Sequence, residues 1–309
     1  MGLATREAYG KALVELGKEN KDIVVLDADL SKSTKTIDFA KSYPDRFINV
    51  GIAEQNLLGI SAGLSKYGKI PFASTFAVFA AGRAFEIIRN SICYPNMNVK
   101  IAATHAGITV GEDGGSHQSI EDIAIMNSLP NMSILVPADA KETDEIIKYA
   151  AEHKGPVYIR LGRLNSEDIF NDDYTFEYGK GVCLKSGKDC SIISTGLMTS
   201  IAIEACDILE KEGISVSLIH MPTIKPIDKE IIINAAKDSK FILTCEEHSV
   251  IGGLGQIVSS VTAENHPTKV IKLGVNDVFG QSGTPGELLQ EYGLTKENIV
   301  NIIKEHMMK

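Results

Sequence analysis

The chain has 309 residues, 44% apolar and 23% charged, a globular composition that excludes a wholly disordered chain and leaves room for about two domains. Lys and Arg number 31 against 40 Asp and Glu, a net charge of −9 without blocks of like charge, so nothing points to nucleic acid. No apolar run approaches the roughly 20 residues of a membrane span. Five scattered Cys, with no CxxC and no Cys/His cluster, fit buried thiols in a reducing compartment, so the expectation is a cytosolic protein with no membrane contact.

Near 4–18, Ala8, Ala12 and Leu16 share one face and predict a helix. IVVLD (23–27) reads as a strand and leads into DADLSKSTKT (27–36), where Asp29, Ser31 and Ser33 are good helix caps. FINV (47–50) is a second strand. GIAEQNLLGISAG (51–63) follows and puts Glu54 in the first turn of an apolar helix near 53–66. A carboxylate there is either a cap interacting with the helix dipole or a partly buried acid–base group with a raised pKa. FASTFAVFAAGRAF (72–85) holds Phe76, Phe79 and Phe85 at a strand-to-helix junction, with a helix near 77–93. Core packing is one reading of these rings; stacking on a planar heterocycle is the other.

The strand VKIAATH (99–105) opens into the loop THAGITVGEDGGSHQSIED (104–122), with Gly107, Gly111, Gly114, Gly115, His105, His117, Glu112 and Asp113. Glycines there permit close approach of backbone to a ligand, and the histidines supply proton transfer near neutral pH. A bland glycine-rich turn is the competing reading. Helices near 119–128 and 139–153 and strands SILVP (133–137) and VYIRL (157–161) complete this half. Arg6 and Arg163 stand at ends of elements; arginine suits bidentate phosphate contact, and each alone also reads as a surface charge.

Residues 165–180 are polar and turn-rich, a linker or crossing strand. Alternation restarts with strands 191–196, 214–220, 241–247 and 268–274 and helices near 198–212, 228–238, 253–264 and 295–307. EEH (246–248) reads as a polar turn after a strand rather than a metal site. The expected fold is α/β: two doubly wound domains, 1–164 and 181–309, each a mostly parallel sheet flanked by helices. Ligands then bind at the carboxyl ends of the strands.

VGEDGGSHQ, GIAEQN and STFAVF together resemble the transketolase family, in its C-terminal half: a pyrimidine-binding domain followed by the family's C-terminal domain. The resemblance implies thiamin diphosphate as cofactor. Glu54 would hydrogen-bond N1′ of the aminopyrimidine, Phe79 with Phe76 would stack on or flank that ring, and Asp29 and Leu30 would line the cleft. It implies a ketose phosphate substrate, with Arg6, Ser33, His105 and Arg163 at the phosphate, Asp113 at the C2 hydroxyl and His117 near the C1 and C2 oxygens. Glu54, His105 and His117 are then the catalytic candidates. The family's GDG…N motif for diphosphate and Mg²⁺ is not found in the sequence, and no metal ligands are expected in this chain. The chain thus resembles the second subunit of a split transketolase, which transfers two-carbon ketol units. The resemblance implies an N-terminal partner subunit that holds Mg²⁺, self-association through the C-terminal half, and a heterotetramer. Competing readings are the β subunit of a 2-oxoacid dehydrogenase, a deoxyxylulose-phosphate-synthase-like half, a transketolase half for a sulfo- or otherwise modified sugar, and a non-catalytic module that kept the fold. The joint presence of Glu54, His105, Asp113 and His117 favours chemistry.

Overall fold

Residues 2–308 are described by a computed structural model; Met1 and Lys309, end points of the two expected domains, lie outside them. The first sheet contains β1 (Ile23–Asp27), β2 (Phe47–Asn49), β3 (Ile70–Phe76), β4 (Lys100–Thr104), β5 (Ser133–Leu135) and β6 (Val157–Arg160). These run parallel in the order β5-β6-β4-β3-β1-β2. Strands β7 to β12 follow as Val182–Lys185, Cys190–Ser194, Val216–His220, Thr223–Lys225, Ile242–Ser249 and Val270–Val275. The second sheet has the order β12-β11-β8-β9-β7, with β7 alone antiparallel. Strand β10 instead crosses to the first sheet and pairs antiparallel with β5, Thr223 opposite Leu135.

The near-continuous apolar strands are explained by burial on both faces. Along β1, Ile23 and Val25 enter a core with Tyr9, Leu13 and Phe72, while Val24 and Leu26 enter a second core on the opposite face. That second core continues into the other half of the chain through Ile193, Ile219 and Ile242. Their neighbours Ile192, Leu218 and Leu243 point to a third core beyond the second sheet. The two sheets therefore share one apolar layer. Segment 165–180 lies against the first sheet's outer layer, with Phe176 and Tyr178 packed on Tyr149 and the Tyr174 hydroxyl donating to Glu142 at 2.6 Å.

Three readings of local structure are corrected. Ile70–Phe76, implied only by the strand-to-helix junction in 72–85 and not given as a strand, is the interior strand β3 between β4 and β1. Its Pro71 and small polar residues mask the pattern, and the proline is accommodated beside the strand's first residue. The helix expected near 77–93 is broken into Ala77–Arg83, Phe85–Ile87 and a π-helical turn Ile88–Cys93. Glu246, Glu247 and His248 do not form a turn after a strand; they lie within β11 and are buried.

Candidate active site

Strands β6, β4, β3, β1 and β2 are adjacent, and their carboxyl ends deliver Arg163, His105, Phe76, Asp29 and Glu54 along one rim. Arg6 arrives differently, from the first turn of helix Thr5–Glu19. Thr5 Oγ1 accepts the Gly162 amide at 2.8 Å, and Ala4 bridges Asn165, so this turn is tied beside Arg163. His105 (φ +58°) and Asp29 (φ +66°) both hold left-handed backbone. Strain of this kind in non-glycine residues concentrates at functional sites.

One group of side chains is basic. Arg6 Nη1 donates to the Ser33 carbonyl at 3.0 Å and to His105 Nε2 at 3.1 Å. Since arginine only donates, His105 Nε2 carries the lone pair, and Nδ1–H faces Thr104 Oγ1 at 2.9 Å. Burial first, then the Arg6 and Arg163 charges, push His105 down to about 3, so the ring is neutral at physiological pH. Arg6 Nε is buried with no hydrogen-bond partner among the described residues. Arg163 Nη1 donates to the Val110 carbonyl and to Glu112 Oε2 at 3.3 Å, with Asp113 Oδ2 at 3.9 Å. Asp113 is exposed and His117 half-buried, its Nδ1 3.0 Å from Ser116 Oγ.

The other group is aromatic and acidic. Phe76 lies nearly parallel to His105, centroids 3.8 Å apart, and to Phe79 at 5.8 Å. His117 meets the Phe79 ring edge-on at 5.4 Å. Glu54 is 4% exposed at the start of helix Glu54–Lys66, and its Oε1 accepts from Arg83 Nη1 at 3.0 Å. The same guanidinium lies over Phe79, Cζ 4.2 Å from the centroid. Phe79 and Arg83 are four residues apart on one helix, the spacing that makes side chains neighbours. The expected setting of Glu54 was apolar; the structure adds a cation that sequence reasoning missed. The Phe76–His105 stack joins the two groups.

Asp29 and Leu30 sit at the end of β1, at the side of the rim nearer Glu54. Asp29 is exposed and accepts from Asn49 Nδ2 at 2.8 Å. It does not cap the helix that follows: the N-cap is Leu30, which has no side-chain cap, and Ser31 and Ser33 lie inside the helix. Buried Asp27 instead anchors the turn, accepting from Leu30 N at 2.5 Å, Thr34 Oγ1 at 2.6 Å and Thr36 Oγ1 at 2.9 Å. Ser33 contributes its backbone carbonyl to Arg6. Phe85 is turned into the apolar layer and lies apart from the ring cluster. Among the described residues, no group of three or more His, Cys, Asp or Glu could hold a metal ion, and no helix is long and apolar enough to cross a membrane.

The family model described as "Transketolase, pyrimidine binding domain" matches residues 1–167, and that of "Transketolase, C-terminal domain" matches residues 179–299. A putative transketolase C-terminal section from Methanocaldococcus jannaschii is 53% identical over 98% of this chain and 96% of its own length. A solved split-gene transketolase, described as an inactive beta4 tetramer, is 58% identical with a TM-score of 0.91, covering 100% of this chain and 99% of the other. Transketolase from Rattus norvegicus is 38% identical over 98% of this chain, which spans 49% of that protein. The chain belongs to the transketolase family.

Proposed function

We propose that the chain is the C-terminal subunit of a split transketolase, active with an N-terminal partner subunit, moving a two-carbon ketol unit from a ketose phosphate to an aldose phosphate. One observation carries the reading: a buried carboxylate beside a phenylalanine pair and a cluster of arginines around a neutral histidine meet along one sheet rim.

The residues fit one end of thiamin diphosphate. Glu54 supplies an acceptor in a hollow also lined by Ile52, Ala53, Asn56 and Arg83, and Phe79 offers a ring face under the Arg83 guanidinium. They do not supply a metal ligand set, so the diphosphate and Mg²⁺ are assigned to the partner. When bound, the cofactor supplies the electron sink for breaking the bond beside the ketose carbonyl. Glu54 holds a proton at the pyrimidine ring nitrogen; Arg83 takes Oε1, so the second carboxylate oxygen is assigned to that contact. Phe76 and Phe79 orient the ring. Arg6 and Arg163 bind the substrate phosphate, with the unpartnered Arg6 Nε as a donor for it. His105 acts as a neutral hydrogen-bonding group near the sugar, and Asp113 and His117 take the C2 hydroxyl and the C1 and C2 oxygens. Assembly is proposed as two copies of each subunit.

Replacing Glu54 by Gln tests the assignment in the reconstituted complex. The expected result is loss of turnover with assembly unchanged. Near-normal turnover would remove Glu54 from its role.

A further inference from the structure

The loop that carries His105, Asp113 and His117 does not stand on its own domain alone. Its neck is closed by the Gly107 amide donating to the Ser119 carbonyl at 2.8 Å. Arg160, at the end of β6, reaches both Ser119 and the second sheet. Its Nη2 donates to the Ser119 carbonyl at 3.2 Å and to the Glu247 carbonyl at 3.0 Å, while Asp122 accepts from Nε at 2.9 Å. Above this neck the Glu247 side chain projects from β11. Its Oε1 accepts the Thr109 amide at 2.7 Å, across 138 residues of sequence. Gly107 makes room for it. A Cβ there would lie 2.2 Å from the Glu247 carboxylate, and its φ of +83° is left-handed. Two more ties come from the second half: Gln118 Nε2 donates to the Gln281 carbonyl at 2.9 Å, and Ser282 Oγ to the Glu112 carbonyl at 2.8 Å.

We infer that Glu247 is a positioning residue for the sugar site: its buried carboxylate clamps the Gly107–Thr109 turn and so fixes the loop presenting His105, Asp113 and His117. The inference rests on the transketolase reading for the identity of the substrate, and on geometry alone for the clamp. A carboxylate is costly at a site 5% exposed, and this one is held by the Thr109 amide, with the Ile108 backbone and the Thr109 side chain also favouring its charge. What it adds is reach from another domain and a strong acceptor on a turn two residues from His105. The C-terminal domain thereby acts on sugar recognition without touching the sugar.

The test compares Glu247→Ala and Glu247→Gln in the complex with the N-terminal subunit. Glu247→Ala should raise KM for the ketose phosphate about ten-fold, the weight of one buried hydrogen bond. Cofactor affinity, which rests on Glu54, Phe79 and the partner's diphosphate site, all outside the clamped turn, should stay unchanged. Glu247→Gln keeps an oxygen acceptor and should restore most of the loss. Amide exchange of this chain, followed by mass spectrometry, should quicken over residues 106–112 in the Ala variant. If Ala fails to fold, Glu247→Asp, which withdraws the carboxylate by one methylene, takes its place. Unchanged KM and unchanged exchange in a folded variant, with only a lower Tm, would overturn the clamp. Absence of ketol transfer by the wild-type complex would instead overturn the functional reading, and the exchange experiment would still decide the clamp.

Discussion

Arg163→Gln separates charge from scaffold in the basic group. Arg163 does two things through one guanidinium: it binds the Val110 carbonyl and Glu112 of the loop, and it faces the Arg6 side. Glutamine keeps a donor for the carbonyl and removes the charge. A hydrogen bond to a charged group is worth about 1.5–3 kcal/mol, or roughly 10- to 150-fold in binding. Arg6 remains as a second cation, so the lower end is expected: KM for a phosphorylated donor such as xylulose 5-phosphate rises about ten-fold. The exposed ion pairs to Glu112 and Asp113 add little to stability, under about 1 kcal/mol, so Tm should hardly move. Steady-state kinetics of the reconstituted complex with xylulose 5-phosphate and with hydroxypyruvate, which lacks the phosphate, reads the effect. KM for hydroxypyruvate should stay within about three-fold, since no phosphate contact is lost. An equal loss with both donors would refute the phosphate assignment.

Asp122→Ala should cost about 3–5 kcal/mol in denaturant unfolding, because it strands Arg160 in the interior. In the folded chain burial works against the Asp122 charge, yet Arg160 holds it below the ordinary carboxylate value; a loss under about 1 kcal/mol would contradict that account. Acid should weaken the fold through His248. Burial pushes its pKa from 6.5 down to about 4, with Asp122 opposing and Arg160 assisting. Its Nδ1 donates to the Ser249 carbonyl and its Nε2 faces the Ala124 amide, so the neutral ring is the one that fits. Between these pH values the unfolded chain takes up the proton and the folded chain does not, so stability falls as pH falls, by about 3 kcal/mol for this group. Glu246, pushed up by burial from 4.5 to about 7, acts in the opposite sense over that window. The wild-type curve alone is therefore a mixture. The difference in Tm between wild type and His248→Gln, followed from pH 7.5 to 4.5, reads the histidine together with its effect on Glu246, whose Oε2 lies 3.7 Å from Nδ1, and parallel curves would exclude it.

Most candidates were nominated because they follow a strand, and strand ends converge in a parallel sheet; Arg6, in the first turn of a helix, is the exception. Glu54 after FINV, His105 at the end of VKIAATH and Arg163 after VYIRL needed only that rule and the loop motif. The pairings were not readable. Arg83 meets Glu54 across 29 residues and Thr109 meets Glu247 across 138, and nothing local marks either contact. The four-residue spacing of Phe79 and Arg83 is the signal that could have placed that guanidinium over the ring, though Arg83 was not singled out. EEH read as a turn because charged residues rarely sit in a buried strand; here Glu246 is satisfied by the Leu254 and Gly255 amides at 2.7 and 2.8 Å. Asp29 read as a cap on propensity alone, whereas the helix starts from Leu30 without a side-chain cap and Asp29 pairs with Asn49 instead.

The most direct measurement is ketol transfer between xylulose 5-phosphate and ribose 5-phosphate, with thiamin diphosphate and Mg²⁺. This chain is assayed alone and then mixed with an N-terminal transketolase subunit. Turnover in the mixture and none with the chain alone is the predicted result. Turnover by the chain alone, or none from an assembled complex with its cofactor bound, would contradict the account.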